Sequence, residues 1–577
     1  MAKRRVGTSL VGPVVVFGLS CASFWVSTQV VRLPPAWYTF EFCQYAEIGK
    51  NLATEGSFDT RLVEPMALAY IDAHRVGPPG PRWPVINRYP LPCVVIAGLM
   101  TVFGADETAA AWSNGLAAGG LAVLAYVLAL RWYGASWAAL VGLLVVADPA
   151  FYGAFVLLGT PDVWFALVFG LELLAWCHLV EGGGASPSRR AGLAALTGVS
   201  AGLAYLTRFN VVVFLAPQGA VLLLHRRWRD AAVAGAAAAA VAAPIVVYNF
   251  RHFGRPTVGV YSAWNLLDGI GAYAVEPWLY YREPDVAAVL RAHLGGFAAK
   301  FATNLTAVVP FRIWSLWRLD LILPTAVLGL VILIRGRRRG GGGVERRFLT
   351  WAAGLFVGQL VLFSGLRLEL EDRLSPHHGR YFFWFAVPAI LLGVGALRRL
   401  DGWSRRWRAL TALVVAGQLG LFAWGWSGWV GNGPVVATNL GRDPIRGAIA
   451  EMLTDGQVIA SNQPQITAWF CARRSIALPA DPSELGRLNR LSPTPIDYVF
   501  IDLNYNAIDL DPRWAALARP GAAGVSPWER TLLVDYEYTI PPERTRPTPV
   551  PYVLLRRRGV PPSRLERSLA SGVTTAR

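Results

Sequence analysis

Charge is scarce in this sequence. Of its 577 residues only 16% are Asp, Glu, Lys or Arg, while 54% are hydrophobic; a typical soluble domain carries about 25% charged residues. The shortage is uneven. Stretches such as 109–130 and 191–206 contain no charge, and the short segments between such stretches are dense in arginine. A soluble chain would spread charge over every exposed helix face, whereas a bilayer demands that it be segregated. Cysteine is also scarce. The five present (Cys21, Cys43, Cys93, Cys177, Cys471) show no CxxC spacing, which argues against zinc-ribbon and thioredoxin chemistry. Cys21 and Cys177 fall in apolar runs, where a thiol packs as a small hydrophobe. Cys43 and Cys93 share one loop, and a disulfide between them requires that loop to face an oxidising compartment. Acidic residues are outnumbered by 54 basic residues to 37, a formal charge of +17. An excess of that size suits a nucleic-acid partner only if it forms a binding surface. Here it clusters beside apolar runs, at 3–5, 226–229, 335–339, 346–347 and 398–408. Such clusters orient a protein in a membrane, and no nucleic-acid partner is expected.

Apolar runs occur near 9–30, 109–130, 137–158, 163–181, 191–207, 210–224, 231–248, 319–334, 348–365, 381–397 and 409–430. Each is within a few residues of the ~20 needed to cross ~30 Å of hydrocarbon. The first follows basic residues as a signal peptide would, but it is long enough to span and lacks a convincing cleavage site, so it reads as an uncleaved anchor. The run 90–103 has about 14 residues, the length of an interfacial segment. Left at the interface, it gives about eleven spans and places about 20 basic residues on the cytoplasmic side. Threaded through the bilayer, it would move every later cluster outside. The interfacial reading therefore sets the topology. Outside lie a long first loop (32–107), short connections at 158–162 and 207–210, a second long loop (249–320) and the segment 366–380. An interfacial helix is expected over 285–310.

After residue 431 short β-rich runs (457–460, 498–502, 531–535, 552–555) alternate with helical stretches (443–453, 482–491), the pattern of a small α/β domain. The expected organisation is a polytopic α-helical membrane module over 1–430, an extracytoplasmic α/β domain over 431–560 and a disordered basic tail over 561–577. No internal repeat or inverted half is visible, which weakens transporter architectures.

In such a chain the informative charges are those that topology does not explain. The first outer loop carries EFCQYAEIGKNLATEGSF (41–58). On a helix Glu41, Tyr45 and Ile48 share one face. At a membrane surface, beside Phe40 and Phe42, the Glu41 carboxylate would be desolvated towards the range of a general base; a solvated acid on an amphipathic helix is the plainer alternative. This stretch resembles the first-loop signature of the GT-C superfamily of polyprenyl-phosphate-sugar transferases, which includes protein O-mannosyltransferases and the aminoarabinose transferase of lipid A. That pattern runs Asp-Glu-x-x-Tyr, then Ala-x-x-Ile/Leu-x-x-Asn-Leu, then Gly and an aromatic. Tyr45, Ala46, Asn51, Leu52, Gly56 and Phe58 fit it. Glu41 replaces the usual Asp and Phe42 the adjacent Glu, a departure that puts a metal role for the pair in doubt.

Five further segments follow in the family's order: NRYPLP (87–92), LLGTPDVWFA (157–166), AGLAYLTRF (201–209), YNFRHFGRP (248–256) and GRYFFWFAVP (379–388). None is specific alone, but six in order on one expected face are. The resemblance implies a GT-C fold and transfer of a sugar from a polyprenyl-phosphate donor to a glycan, lipid or protein acceptor, with inversion, at the outer face of the cell membrane. Glu41 then takes the place of the catalytic base, with Asp162, opposite the first loop, a second catalytic candidate suited to substrate orientation or metal binding; ordinary capping of a helix N-terminus is an equal alternative for Asp162. Arg88, Arg208, Arg251 and Arg380 all map to the outer interface, where guanidinium groups bind phosphate in bidentate fashion and stabilise leaving-group charge; Tyr45, Tyr89 and Tyr381 accompany them as binding residues. For each arginine alone, interfacial snorkelling is an equal alternative. No resident cofactor is implied. His377 and His378 are adjacent, unlike i, i+3 ligands, and carry little weight as a metal site; a divalent cation held by carboxylates stays open. Asp148 and Glu172, inside apolar runs, support the rival reading of a proton-coupled transporter or lipid flippase. A non-catalytic assembly protein is the third.

Overall fold

The computed structural model describes residues 10–30, 40–86, 88–149, 151–156, 159–182, 186–257, 265–271, 273, 279–308, 319–335, 343–366, 379–431, 449–450, 453–454, 456–469, 471–502, 512–517, 535–540 and 552–562. In chain order the first α-helices are α1 (Val11–Val30), α2 (Phe40–Glu55), α3 (Pro65–His74), α4 (Pro90–Phe103), α5 (Glu107–Tyr133), α6 (Ala135–Ala147) and α7 (Asp162–Glu181). There follow α8 (Pro187–Thr207), α9 (Val212–Leu224), α10 (Trp228–Phe253), α11 (Val286–Ala292), α12 (Leu294–Thr303), α13 (Ile322–Arg335) and α14 (Val344–Phe363). The last are α15 (Ala386–Asp401), α16 (Arg405–Gly431), α17 (Pro464–Trp469), α18 (Ser483–Leu491) and α19 (Pro512–Ala516). The strands are β1 (Asp59–Thr60), β2 (Leu62–Val63), β3 (Trp83–Pro84), β4 (Val458–Ser461), β5 (Arg474–Ala477), β6 (Tyr498–Asp502), β7 (Tyr536–Ile540) and β8 (Tyr552–Arg557).

Two compact units emerge, and the first gathers Met1–Ala36, Tyr89–Ile245 and Phe301–Val435. A helix stands at each of the expected apolar runs. Among the described residues six helical stretches are long and apolar enough to cross a membrane, and 90–103, 135–147, 209–224 and 322–335 form shorter apolar helices. Local chemistry places the ends. Pro at the first turn starts α4, and Gly104, at φ 101°, stops it where a side chain would be strained. Asp106 caps α5 by accepting from the Ala109 amide at 2.8 Å, and Gly134 separates α5 from α6. The expected span 137–158 is not one helix. It breaks at Asp148-Pro149 and resumes as a π-helical turn, Phe151–Val156, because proline supplies no amide to the preceding turn. Small residues bring α8 onto α10: a Cβ on Gly198 would lie 2.1 Å from the Ala234 carbonyl oxygen, and one on Gly202 2.7 Å from Val241 Cβ. Such close approach is how helices associate where lipid removes the hydrophobic drive. Aromatic rings fill the centre, Phe169 standing edge-on to Trp384 at 5.0 Å and Trp176 to Trp351 at 4.7 Å.

The second unit gathers Trp37–Arg88, Val246–Lys300 and Val436–Arg577, so it is wider than the 431–560 segment delimited from sequence. Its sheet has the order β2-β5-β4-β6-β8-β7. The β2, β5, β4 and β6 strands run parallel, while β8 is antiparallel to β6 and β7. The β2 strand comes from the first loop, pairing Leu62 with Ser475 and Val63 with Ile476. The core under the sheet joins Val63, Met66, Leu68 and Ile71 to Ile476, Leu485, Val499 and Val553, and each such side chain contributes about 1.5–3 kcal/mol on burial. Three strands (β4, β6 and β8) and the helix at 483–491 follow the sequence pattern closely; β5 and β7 were not anticipated. Residues 441–448, 531–534 and 563–577, on which parts of the expected 443–453 helix, the 531–535 strand and the tail fall, lie outside the described residues. The expected interfacial helix is two, α11 and α12, broken at His293, and neither has a buried residue.

Candidate active site

In the first unit the polar centre is built on Asp162. This residue opens α7 after Pro161, an ordinary arrangement at the positive end of a helix dipole. Unlike a surface cap, Asp162 is only 1% exposed. Its Oδ1 accepts from the Arg208 guanidinium, which projects from the residue that closes α8. Arg380 Nε stands 3.9 Å from Asp162 Oδ2. The Tyr381 ring lies 4.8 Å from the Arg208 guanidinium carbon and 5.6 Å from that of Arg380. Tyr89 packs edge-on against Phe209 at 5.1 Å. Burial works against the Arg208 charge, but Asp162, with Tyr89 and Tyr381, outweighs it and holds the guanidinium above its ordinary pKa. The two arginines differ in access, their side chains being 4% and 14% exposed for Arg208 and Arg380. Arg208 is thus the buried hub, and Arg380 keeps the wetter surface. Planar guanidiniums anchored on a carboxylate and an aromatic face are preorganised for bidentate recognition of phosphate.

The second unit carries its own cluster. Glu41 lies in the first turn of α2 and is half-buried, while Tyr45 and Ile48, expected on its face, are buried. Two turns on, Glu47 is fully buried. Its carboxylate accepts from Thr60 Oγ1 at 2.7 Å, Asn51 Nδ2 at 2.9 Å and the Arg61 amide at 2.9 Å. Burial pushes the Glu47 carboxyl upward in pKa against these bonds. Arg88 donates to Glu64 Oε1 at 2.8 Å, both side chains being buried, and lies 5.9 Å from the Tyr45 ring. Glu47 and Glu64 were not singled out from sequence. The i, i+4 spacing of Glu47 and Asn51 was a usable signal; Glu64 and Arg88 are joined only by folding.

Of the expected residues, then, Tyr89, Asp162, Arg208, Arg380 and Tyr381 are brought together within the first unit. Glu41, Tyr45 and Arg88 belong to the second, and there Arg251 is exposed in the last turn of α10. Asp148 accepts from the Phe151 amide at 3.3 Å at the helix break, and Glu172 accepts from Gln218 Nε2 at 3.2 Å; both acids therefore have local structural partners. Cys43 and Cys93 are both buried. Among the described residues no group of His, Cys, Asp and Glu is arranged to hold a metal; His377 and His378 lie outside them.

Residues 87–249 match the family described as dolichyl-phosphate-mannose-protein mannosyltransferase. Lipid A galacturonosyltransferase RgtD of Rhizobium johnstonii is 25% identical over 261 residues, 41% of this chain and 47% of the relative. The chain thus spans about half the length of that curated relative. The crystal structure of ArnT from Cupriavidus metallidurans bound to undecaprenyl phosphate superposes with a TM-score of 0.55 at 16% identity, covering 95% of this chain and 98% of that one. The architecture is therefore the GT-C fold of multi-pass membrane proteins. Fold and family segment agree with the order of motifs in the sequence: the chain has the GT-C fold and carries, over residues 87–249, a segment similar to the mannosyltransferase family.

Proposed function

We propose that the protein transfers a sugar, with inversion, from a polyprenyl-phosphate donor to an acceptor at the outer face of the cell membrane. The observation that carries this reading is the Asp162–Arg208–Arg380–Tyr381 group. It offers a phosphate two oriented guanidiniums, of which Arg380 is the accessible one. ArnT was crystallised with undecaprenyl phosphate, and a lipid phosphate of that class suits the chemistry of this group. Charge growing on the leaving phosphate is met by donors that need no reorganisation. Glu41 is assigned as the base that takes the acceptor proton, a role worth about 10²–10⁴ in rate. Arg88, Tyr45 and Arg251 are assigned to substrate binding on the resemblance alone, and a lipid acceptor is favoured by the likeness to RgtD.

The test uses the purified full chain and a radiolabelled polyprenyl-phosphate sugar. Glu41→Gln is expected to lower transfer at least ~100-fold while donor affinity stays within about twofold, since shape is kept and basicity lost. Arg380→Ala is expected to weaken both donor binding and turnover. Near-normal transfer by Glu41→Gln would remove the base assignment; unchanged donor affinity in Arg380→Ala would remove the phosphate site. Arg208 is a poorer probe, because deleting it strands a buried carboxylate at a cost of about 3–5 kcal/mol.

A further inference from the structure

Gln359 is the one amide side chain in the apolar run TWAAGLFVGQLVLFS (350–364) of α14 and its end. A buried amide in a membrane helix is costly unless both its ends are bonded, and Gln359 is 2% exposed. Its Nε2 donates to the Tyr381 carbonyl at 2.8 Å, and its Oε1 accepts from Trp384 Nε1 at 2.7 Å. Both partners belong to one 3₁₀ segment, Gly379–Phe385. At 7 residues that segment outruns the usual 3–4 of a 3₁₀ turn, whose own hydrogen bonds are poorly aligned; it needs bracing from outside. The same helix supplies rings as well as the amide: Phe356 stacks on Phe385 at 4.2 Å, and Phe363 meets Tyr381 edge-on at 5.6 Å.

Arg380 and Tyr381 lie on this braced segment, and Tyr381 is the ring that both guanidiniums share. We infer that Gln359 is a positioning residue for donor binding: its two hydrogen bonds hold the Gly379–Phe385 turn so that Arg380 and Tyr381 present a fixed surface to the donor phosphate. Gln359 touches no reacting atom and acts through Arg380. The inference rests on the phosphate reading proposed above.

The experiment is a double-mutant cycle on the full-length protein in detergent, with undecaprenyl phosphate as the binding probe. Gln359→Leu removes both bonds at similar volume and is expected to weaken binding about tenfold. Trp384→Phe leaves the carbonyl bond and is expected to cost about threefold. On the Arg380→Ala background each should cost less than about twofold, because the residues act as one unit. In turnover the effect of Gln359→Leu falls on the donor KM more than on kcat. Equal losses on both backgrounds would show that Gln359 merely supports the helix bundle, and would overturn the inference while leaving the phosphate reading intact. No loss from Arg380→Ala alone would overturn the phosphate reading and this inference with it. Should Gln359→Leu unfold, the Trp384→Phe arm decides the same question.

Discussion

Glu41 and Glu47 sit on one short helix, yet one is half-buried in the first turn and the other fully enclosed. The difference is one of partners. Glu47 ties α2 to the strand that follows it through Thr60, Asn51 and the Arg61 amide. Replacing it with alanine leaves those donors without an acceptor, an expected cost of about 1–3 kcal/mol. The pH dependence has a definite sign. Burial raises the Glu47 pKa in the folded protein, so the folded state holds its proton longer than the unfolded one. The stability this confers is present below the ordinary carboxylate range and is lost as pH rises through the raised folded value. The difference in melting temperature between wild type and Glu47→Gln should therefore shrink from pH 5 to pH 8. A difference that widens over that range would show that the charged carboxylate stabilises the fold. Spacing alone could have marked Asn51 as a neighbour of Glu47; it could not reveal Thr60 or Arg61, whose contacts depend on how the chain turns after Gly56.

Elements were legible wherever a local signal set their ends. The proline start and glycine stop of α4, and its 14 residues, agree with the bounds and length of the apolar run read at 90–103. The break at Asp148-Pro149 was written as plainly, but the apolar run continues across it and hid it. Close helix contacts leave a subtler trace, a pair of glycines four apart. Gly198→Ala is expected to lower the melting temperature in detergent by several degrees, because its Cβ would meet the Ala234 carbonyl oxygen at 2.1 Å and overpacking costs about 1–3 kcal/mol. Gly192→Ala, on the same helix with nothing within 4 Å, is the control and should be neutral. If both variants melt together, α8 and α10 are not held by glycine contact.

At the scale of the whole molecule, the second unit is assembled from three separate stretches of chain. Its β2 strand and α3 core residues come from the first loop. The C-terminal segment alone would expose the edge of β5 and the apolar side chains that Val63, Met66 and Ile71 cover. Residues 431–560 expressed as a fragment are expected to be protease-sensitive and to lack a cooperative unfolding transition, and co-expression with residues 37–88 should restore both. A sharp transition from the fragment alone would show that the first loop is dispensable to this unit.

Segregation of charge from apolar runs was enough to determine that the chain is a multi-pass membrane protein, because the preference of a segment for lipid is local and adds up along the sequence. Six short motifs in order were enough to point to the GT-C fold. Only the tertiary structure decided which charges meet. The Asp162–Arg208 pair is separated by 46 positions, and Gln359 reaches Tyr381 across 22. Such partners are selected by packing and by the cost of leaving a buried polar group unpaired, and neither quantity is a property of any one stretch of sequence.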